Sequence, residues 1–177
     1  MILTNTYFQG ELSLPNLSIK SEAVGHASTA MQTIGENNLN WFIDRYEKEF
    51  LYKLLGNTLS NSFINGLAEP TVNQIWIDMK NAIYKDGKYS PAANYVYYWV
   101  KRDGRTQSSV DGEKIGTQNY SEIAKDADKL VKAWNSMCVM VINFYCEFLD
   151  PHWDVYKEYA GNDIRFNNFN KINPFGI

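Results

Sequence analysis

The stretch from Asn40 to Gly56 most restricts what this chain can become, because it reads as a complete helix with its own stop. Leu39, Phe42, Ile43, Tyr46, Phe50 and Leu54 recur at helical spacing and make one apolar face. Asp44, Arg45, Glu47, Lys48 and Lys53 are left to water. Gly56 then closes the helix, since glycine reaches positive φ without a side-chain clash. The stretch is a packing instruction, and nothing in it is a reaction.

At 177 residues and 45% hydrophobic content, the chain is long and apolar enough for one soluble domain with a proper core. Aromatics reach 15%, with 12 tyrosines and 5 tryptophans, residue types that fill cores and also serve contact surfaces. A net charge of −3 argues against a protein that wraps nucleic acid, which needs clustered Lys and Arg. Lys125, Lys129 and Lys132 share a helical face, but Glu122, Asp126 and Asp128 are interleaved with them. A weakly acidic protein can still let a DNA strand slide past it.

Cys138 and Cys146 fall on one predicted helix, roughly 12 Å apart at about 1.5 Å per residue, too far for a disulfide. Two buried thiols without metal spacing suit a reducing cytoplasm. Met1 to Asn5 lack the charged segment and apolar run of a secretory leader. The longest apolar run, Met137 to Ile142, is far short of the roughly 20 residues that span a membrane, so no membrane partner is expected.

Along the chain, residues 1 to 20 read as an extended arm, with Tyr7, Phe8, Leu12, Leu14, Leu17 and Ile19 set among Gly10, Pro15 and Asn16. Residues 21 to 35 begin a short helix. After the helix of residues 39 to 55, Leu59, Phe63, Ile64 and Leu67 predict a second one closing at Asn65-Gly66. Pro70 fits the first turn of a third, with Val72, Ile75, Trp76, Met79 and Ile83 on its face and Asp86-Gly87 as its break. Ser90 before Pro91 caps a fourth, carrying Ala92, Tyr95, Val96, Trp99 and Val100.

Asp103 to Asn119 is polar and lacks helical period. Ser108-Ser109-Val110 and Glu113-Lys114-Ile115 flank Asp111-Gly112, which predicts a projecting β-hairpin or ordered loop. Long loops in compact domains tend to be functional, which makes this the favoured site of partner contact. Ser121 to about Leu149 returns to helix, and its middle, Met137 to Ile142, is apolar all round, which predicts burial on every side. Pro151 ends it. From Gly161 the chain is Asn-rich with Ile164, Phe166, Phe169, Ile172 and Phe175, a second extended arm. The expected fold is mainly α: one domain over residues 1–177, a helical bundle with a hairpin or loop inserted at 103–119 and arms at about 1–20 and 161–177.

Chemistry is hard to find. His26 and His152 lack a second ligand at metal spacing, and neither a GxSxG elbow nor a GxGxxG turn occurs. Seven residues separate Gly104 from Gly112, and Glu113 follows, which departs from the spacing a phosphate loop needs. Asp86-Gly87 and Asp111-Gly112 lack the alternating carboxylates of a calcium loop. Glu47 and Glu49 point to different sides of their helix and do not form a natural dyad, although Glu47 could meet another acid in space. No catalytic residue, cofactor or metal is expected.

Tyr7-Phe8-Gln9-Gly10-Glu11-Leu12, the helix ending Phe50-Leu51-Tyr52-Lys53-Leu54-Leu55-Gly56, and the following Leu59 and Phe63 resemble the small head-tail connector proteins of tailed phages and prophages. Trp76, the Tyr95-Val96-Tyr97-Tyr98 helix and the Gly-bearing loop before the long last helix continue the likeness over most of the chain. Where relatives would read Tyr-Glu-Pro, this chain has Tyr46-Glu47-Lys48. The resemblance implies a head-completion or neck subunit, assembled in the host cytoplasm into the virion. Such a subunit commonly forms a ring beneath the portal and joins capsid to tail.

By the same analogy Arg105, Thr106, Gln107, Ser108, Ser109, Val110, Asp111, Gly112, Glu113, Lys114 and Ile115 would contact the portal or a neighbouring subunit. Tyr7, Phe8, Leu12, Leu14, Ile164, Phe166, Phe169 and Phe175 would be arm contacts. The implied partners are the portal, other head-tail joining proteins and further copies of the chain, with DNA at most passing nearby. Two rival readings are a helical regulatory or interaction module and an enzyme or DNA binder with an acidic pocket or a basic face.

Overall fold

In the computed structural model, the periodic stretch after Leu39 is the second half of a longer helix, α1 (His26–Leu55). The structure describes residues 2–14, 26–85, 89–103, 106–109, 112–115, 120–161 and 169–173, and within these the side chains of 26–37, 106–109, 112–115 and 120–126 lie outside the description. The apolar face does what its spacing requires: Leu39, Phe42, Ile43, Tyr46, Phe50 and Leu54 are all buried. At Gly56, φ is 80°, and its N–H bonds the Tyr52 carbonyl at 3.0 Å. That backbone conformation is open essentially to glycine alone, so α1 stops there and the chain turns into α2 (Asn57–Ala68).

Two helix boundaries differ from those read in the sequence. Gly66 does not end α2 but lies inside it, because a Cβ there would stand 2.1 Å from Trp76 Nε1. The glycine admits the indole rather than stopping the helix. Pro70 stays outside α3 (Gln74–Tyr84), which starts instead at Asn73, whose side chain accepts from the Ile75 N–H. Lys85, with φ 33°, closes α3 before the Asp86-Gly87 break, and those two residues lie outside the description. α4 (Pro91–Asp103) has the expected cap, the Ser90 hydroxyl accepting from Ala93 N–H at 3.4 Å.

All-round burial belongs to a different helix from the one the sequence suggested. Pro91 to Tyr97 are buried on every side, since Ala92 and Ala93 let α4 sit between α1 and α5 (Tyr120–Phe144). The middle of α5 is one-sided. Met137, Cys138 and Val141 are buried, whereas Val139 and Ile142 are 41% and 43% exposed. Cys146 is likewise exposed, not buried as expected. α5 widens into a π-helical turn over Tyr145–Leu149, closed by Asp150 N–H to Tyr145 carbonyl at 2.9 Å, and α6 (Trp153–Ala160) follows.

Ring contacts fix the helix directions. Tyr46 stacks on Trp99 and Phe50 meets Tyr95, so α1 and α4 run antiparallel. The Tyr145 hydroxyl donates to the Leu54 carbonyl while Trp134 lies against Tyr95, so α5 runs alongside α1. One end of the bundle therefore gathers Trp41 to Tyr46 and Trp99 to Asp103. The other gathers Leu54, the π turn and α6.

Two short strands, β1 (Thr106–Ser109) and β2 (Gly112–Ile115), pair antiparallel between α4 and α5. Their register sets Ser109 opposite Gly112 and Thr106 opposite Ile115. Gly112 is thus a paired strand residue, one position away from the turn role that Asp111-Gly112 suggested. Among the described residues no helix is long and apolar enough to cross a membrane.

Candidate interaction surface

Two knots of polar side chains help to hold the bundle together. Glu47, read from the sequence as solvated, is only 4% exposed. Its Oε1 accepts from Leu3 N–H at 2.9 Å, Ile2 N–H at 3.1 Å and the Tyr84 hydroxyl at 2.9 Å. The carboxylate is covered because residues 2–14 lie across it, and those donors replace the water it lost. Burial first, then the Glu47 charge, pushes the Tyr84 phenol well above its ordinary value.

A second knot joins Glu49, Lys53 and Tyr95. Lys53 Nζ donates to Glu49 Oε1 at 2.7 Å and to the Tyr95 hydroxyl at 2.8 Å, and that hydroxyl donates to Glu49 Oε1 at 2.8 Å. Each group of the triangle is engaged by the other two. Among the described residues no cluster of His, Cys, Asp and Glu could hold a metal ion.

Both arms, so far as they are described, pack on this chain itself. The N-terminal segment is not extended: single 3-10 turns at Asn5–Tyr7 and Gly10–Leu12 fold it, helped by Gly10 at φ 60°. Phe8, Leu12 and Leu14 are buried in the chain's own core, and Tyr7 meets the Tyr84 ring edge-on. At the other terminus Phe169 is buried between Phe50, Tyr95 and Trp134. Asn135 clamps the Ile172 backbone from both sides, donating to its carbonyl and accepting from its N–H, each at 2.8 Å. The groove for this arm is built by α1, α4 and α5 of the same molecule. Ile164, Phe166 and Phe175 lie outside the described residues.

Of the loop, Thr106, Gln107, Ser108 and Ser109 fall on β1 and Gly112, Glu113, Lys114 and Ile115 on β2, while Arg105, Val110 and Asp111 lie outside the description. The strands leave α4 at the end of the bundle where Trp41 is 52% exposed. There the Arg45 guanidinium lies 5.4 Å from the Trp41 ring centre and 5.4 Å from that of Tyr46. Arg102 lies 5.0 Å from the Trp99 ring. Stacking on rings orders a guanidinium while leaving its N–H fork able to bond an anion. Trp and Arg are among the residue types enriched at the positions that carry most of the binding energy of protein interfaces.

Neither this surface nor α6 and the groove beside it is among the features expected from the sequence. Trp41 was the available signal for the surface, since it stands two after Leu39 and one before Phe42, beside the apolar stripe and not in it. For α6, Trp153, Tyr156, Tyr159 and Ala160 carry a helical period. A scan of protein-family models, a search of curated proteins and a search of solved structures each found no match to this chain.

Proposed function

We propose that this chain is a structural subunit of a phage or prophage particle, a head-tail connector or head-completion protein that acts by assembly and not by catalysis. The observation that carries the reading is the end of the bundle where β1 and β2 leave the helices beside exposed Trp41 and the ring-ordered Arg45 and Arg102. A rigid helical scaffold holding a strand pair and such residues at one end suits a protein that docks. The likeness of residues 7–12, 50–56 and 95–98 to connector subunits gives the docking its context, and the weak negative charge suits passage of DNA without adhesion.

In this reading the strand pair projects toward the portal or a neighbouring subunit, and several copies surround the channel. The two polar knots keep the scaffold stiff while the strand pair engages. Assembly takes place in the host cytoplasm, and the mature location is the virion.

Deleting residues 105–117 should abolish binding to the cognate portal, followed by particle imaging and co-sedimentation, while the thermal unfolding of the bundle is retained. Unchanged assembly on the portal after the deletion would remove the strand pair from the interface.

A further inference from the structure

We infer that Trp41 and Arg45 of one copy seat in the groove between α3 and α6 of a second copy. The contact presupposes the self-assembly proposed above and gives it two specific faces. The groove is a shallow cleft of about 480 Å³ lined by Ile75, Ala82, Phe148, Val155 and Tyr156, with the Asp78 carboxylate on its wall. Val155 is 44% exposed although it is apolar, and Asp78 is exposed and accepts from Gln74 Nε2 at 2.8 Å. The groove therefore offers apolar wall and, in Asp78, one carboxylate for a cation.

Trp41 with Arg45 has the complementary chemistry. The indole is apolar and exposed, the guanidinium stacked on it has no carboxylate within ion-pair distance among the described residues, and the two present one ring and one cation together. An indole in the groove would cover Val155 and Phe148, and Arg45 would reach Asp78 in a pairing partly shielded from water.

Geometry decides that the occupant is another molecule. Trp41 sits at the end of the bundle shared with Trp99 and Arg102, roughly 20 Å along α1 from Leu54 at about 1.5 Å per residue. Phe148 and Val155 belong to the opposite end, where Tyr145 bonds Leu54. A contact joining one end to the other in a second copy is heterologous, the type of interface that propagates head to tail and closes into a ring if the rotation per step allows.

The test is a charge exchange read by sedimentation velocity over a concentration series, with the portal absent. Arg45→Glu and Asp78→Arg should each weaken self-association by roughly ten-fold or more. The double variant, which restores opposite charges across the same interface, should recover association to within about three-fold of the unaltered chain. Trp41→Ala should weaken association without recovery by any change at Asp78. All three positions changed are on the surface, and circular dichroism verifies that each variant is folded.

Single variants that assemble as well as the unaltered chain would overturn this contact and leave the ring reading to other faces. An unaltered chain that stays monomeric at millimolar concentration yet binds the portal would overturn the contact while the connector reading stands. A monomer that also ignores the portal would overturn both. Loss of portal binding, but not of self-association, in Arg45→Glu would overturn the second copy as occupant in favour of the portal.

Discussion

Glu47 and Glu49 stand two residues apart on α1 and have opposite circumstances. Glu47 is buried, faces no cation among the described residues, and is held by two backbone N–H groups and a tyrosine hydroxyl. Glu49 is 38% exposed in its side chain and is held by Lys53, four residues on, and Tyr95. The first knot ties a distant segment of chain to α1 and α3. The second ties α4 to α1 beside water. Desolvation makes the difference: a buried acceptor that loses its donors has nothing to replace them, whereas an exposed ion pair that is broken returns to solvent.

The largest effect should therefore come from Glu47→Ala. It leaves Ile2 N–H, Leu3 N–H and the Tyr84 hydroxyl without an acceptor and opens a cavity beneath residues 2–14, at a cost of about 3 kcal/mol or more. Against a total stability of roughly 5–15 kcal/mol, that is a large fraction. Urea unfolding measures it, and amide exchange at Leu3 should accelerate before the helices open. Glu47→Gln, which keeps one acceptor oxygen, should cost about half as much. Equal loss from Glu47→Ala and Glu49→Ala would break the comparison.

Tyr84→Phe is the next step down, at about 1.5 kcal/mol, because one donor to Glu47 is lost while both backbone N–H groups remain. It carries a pH signature as well. The Tyr84 phenol is raised in the folded state above its ordinary 10.0, so its contribution is complete below about pH 10 and is lost as pH rises toward the folded value. Tyr84→Phe should flatten the fall of stability above about pH 10. An alkaline limb identical to that of the unaltered chain would place the sensitivity elsewhere, with Tyr156 the next residue to test, since burial and then Asp78 push it up to about 12.

The contrast between the two glutamates also explains what the sequence could tell. The apolar stripe of α1 was legible because six large residues repeat at helical spacing, and all six are buried. Glu47 was the informative exception: it stands four after Ile43, three before Phe50 and seven before Leu54, inside the stripe rather than beside it. A charge in that position means a partner from elsewhere, but nothing in α1 says which segment supplies it. Gly66 misled in the same way. A glycine near a helix end resembles a stop, and only the approach of Trp76 from another helix shows that it makes room.

The surfaces were harder to read than the core. Met137 to Ile142 is apolar throughout, and apolar content alone does not distinguish burial in the same domain from a face left open. Val139 and Ile142 prove open, whereas Ser90 to Tyr97, with the polar Ser90 and Asn94 among them, are closed on all sides. Asn94 is acceptable there because its amide donates to the Ala133 carbonyl at 2.9 Å. Contacts across long sequence separations decide each case, and the arms show it again: their apolar spacing was legible, but their docking on this chain's own helices was not.

The smallest effect is expected at Glu49, and it sharpens the comparison through pH. Burial alone would raise this carboxyl, but hydrogen bonds from Lys53 and Tyr95 outweigh it and hold the group below its ordinary 4.5. A carboxyl depressed in the folded state binds protons more readily in the unfolded chain. Its stabilisation is present above about pH 4.5 and disappears as pH falls through the folded value. With the side chains of Glu49 and Lys53 38% and 39% exposed, solvent screening limits the pair to below about 1 kcal/mol. Glu49→Gln should therefore cost under about 1 kcal/mol at pH 7 and less at high salt, and the gap between variant and unaltered chain should narrow as pH falls below about 4.5. Stability curves from pH 2.5 to 7 at two salt concentrations measure both. A gap that persists unchanged at pH 3 would mean that Glu49 acts through packing against Tyr95 and not through its charge, and the two glutamates would then differ in burial but not in kind.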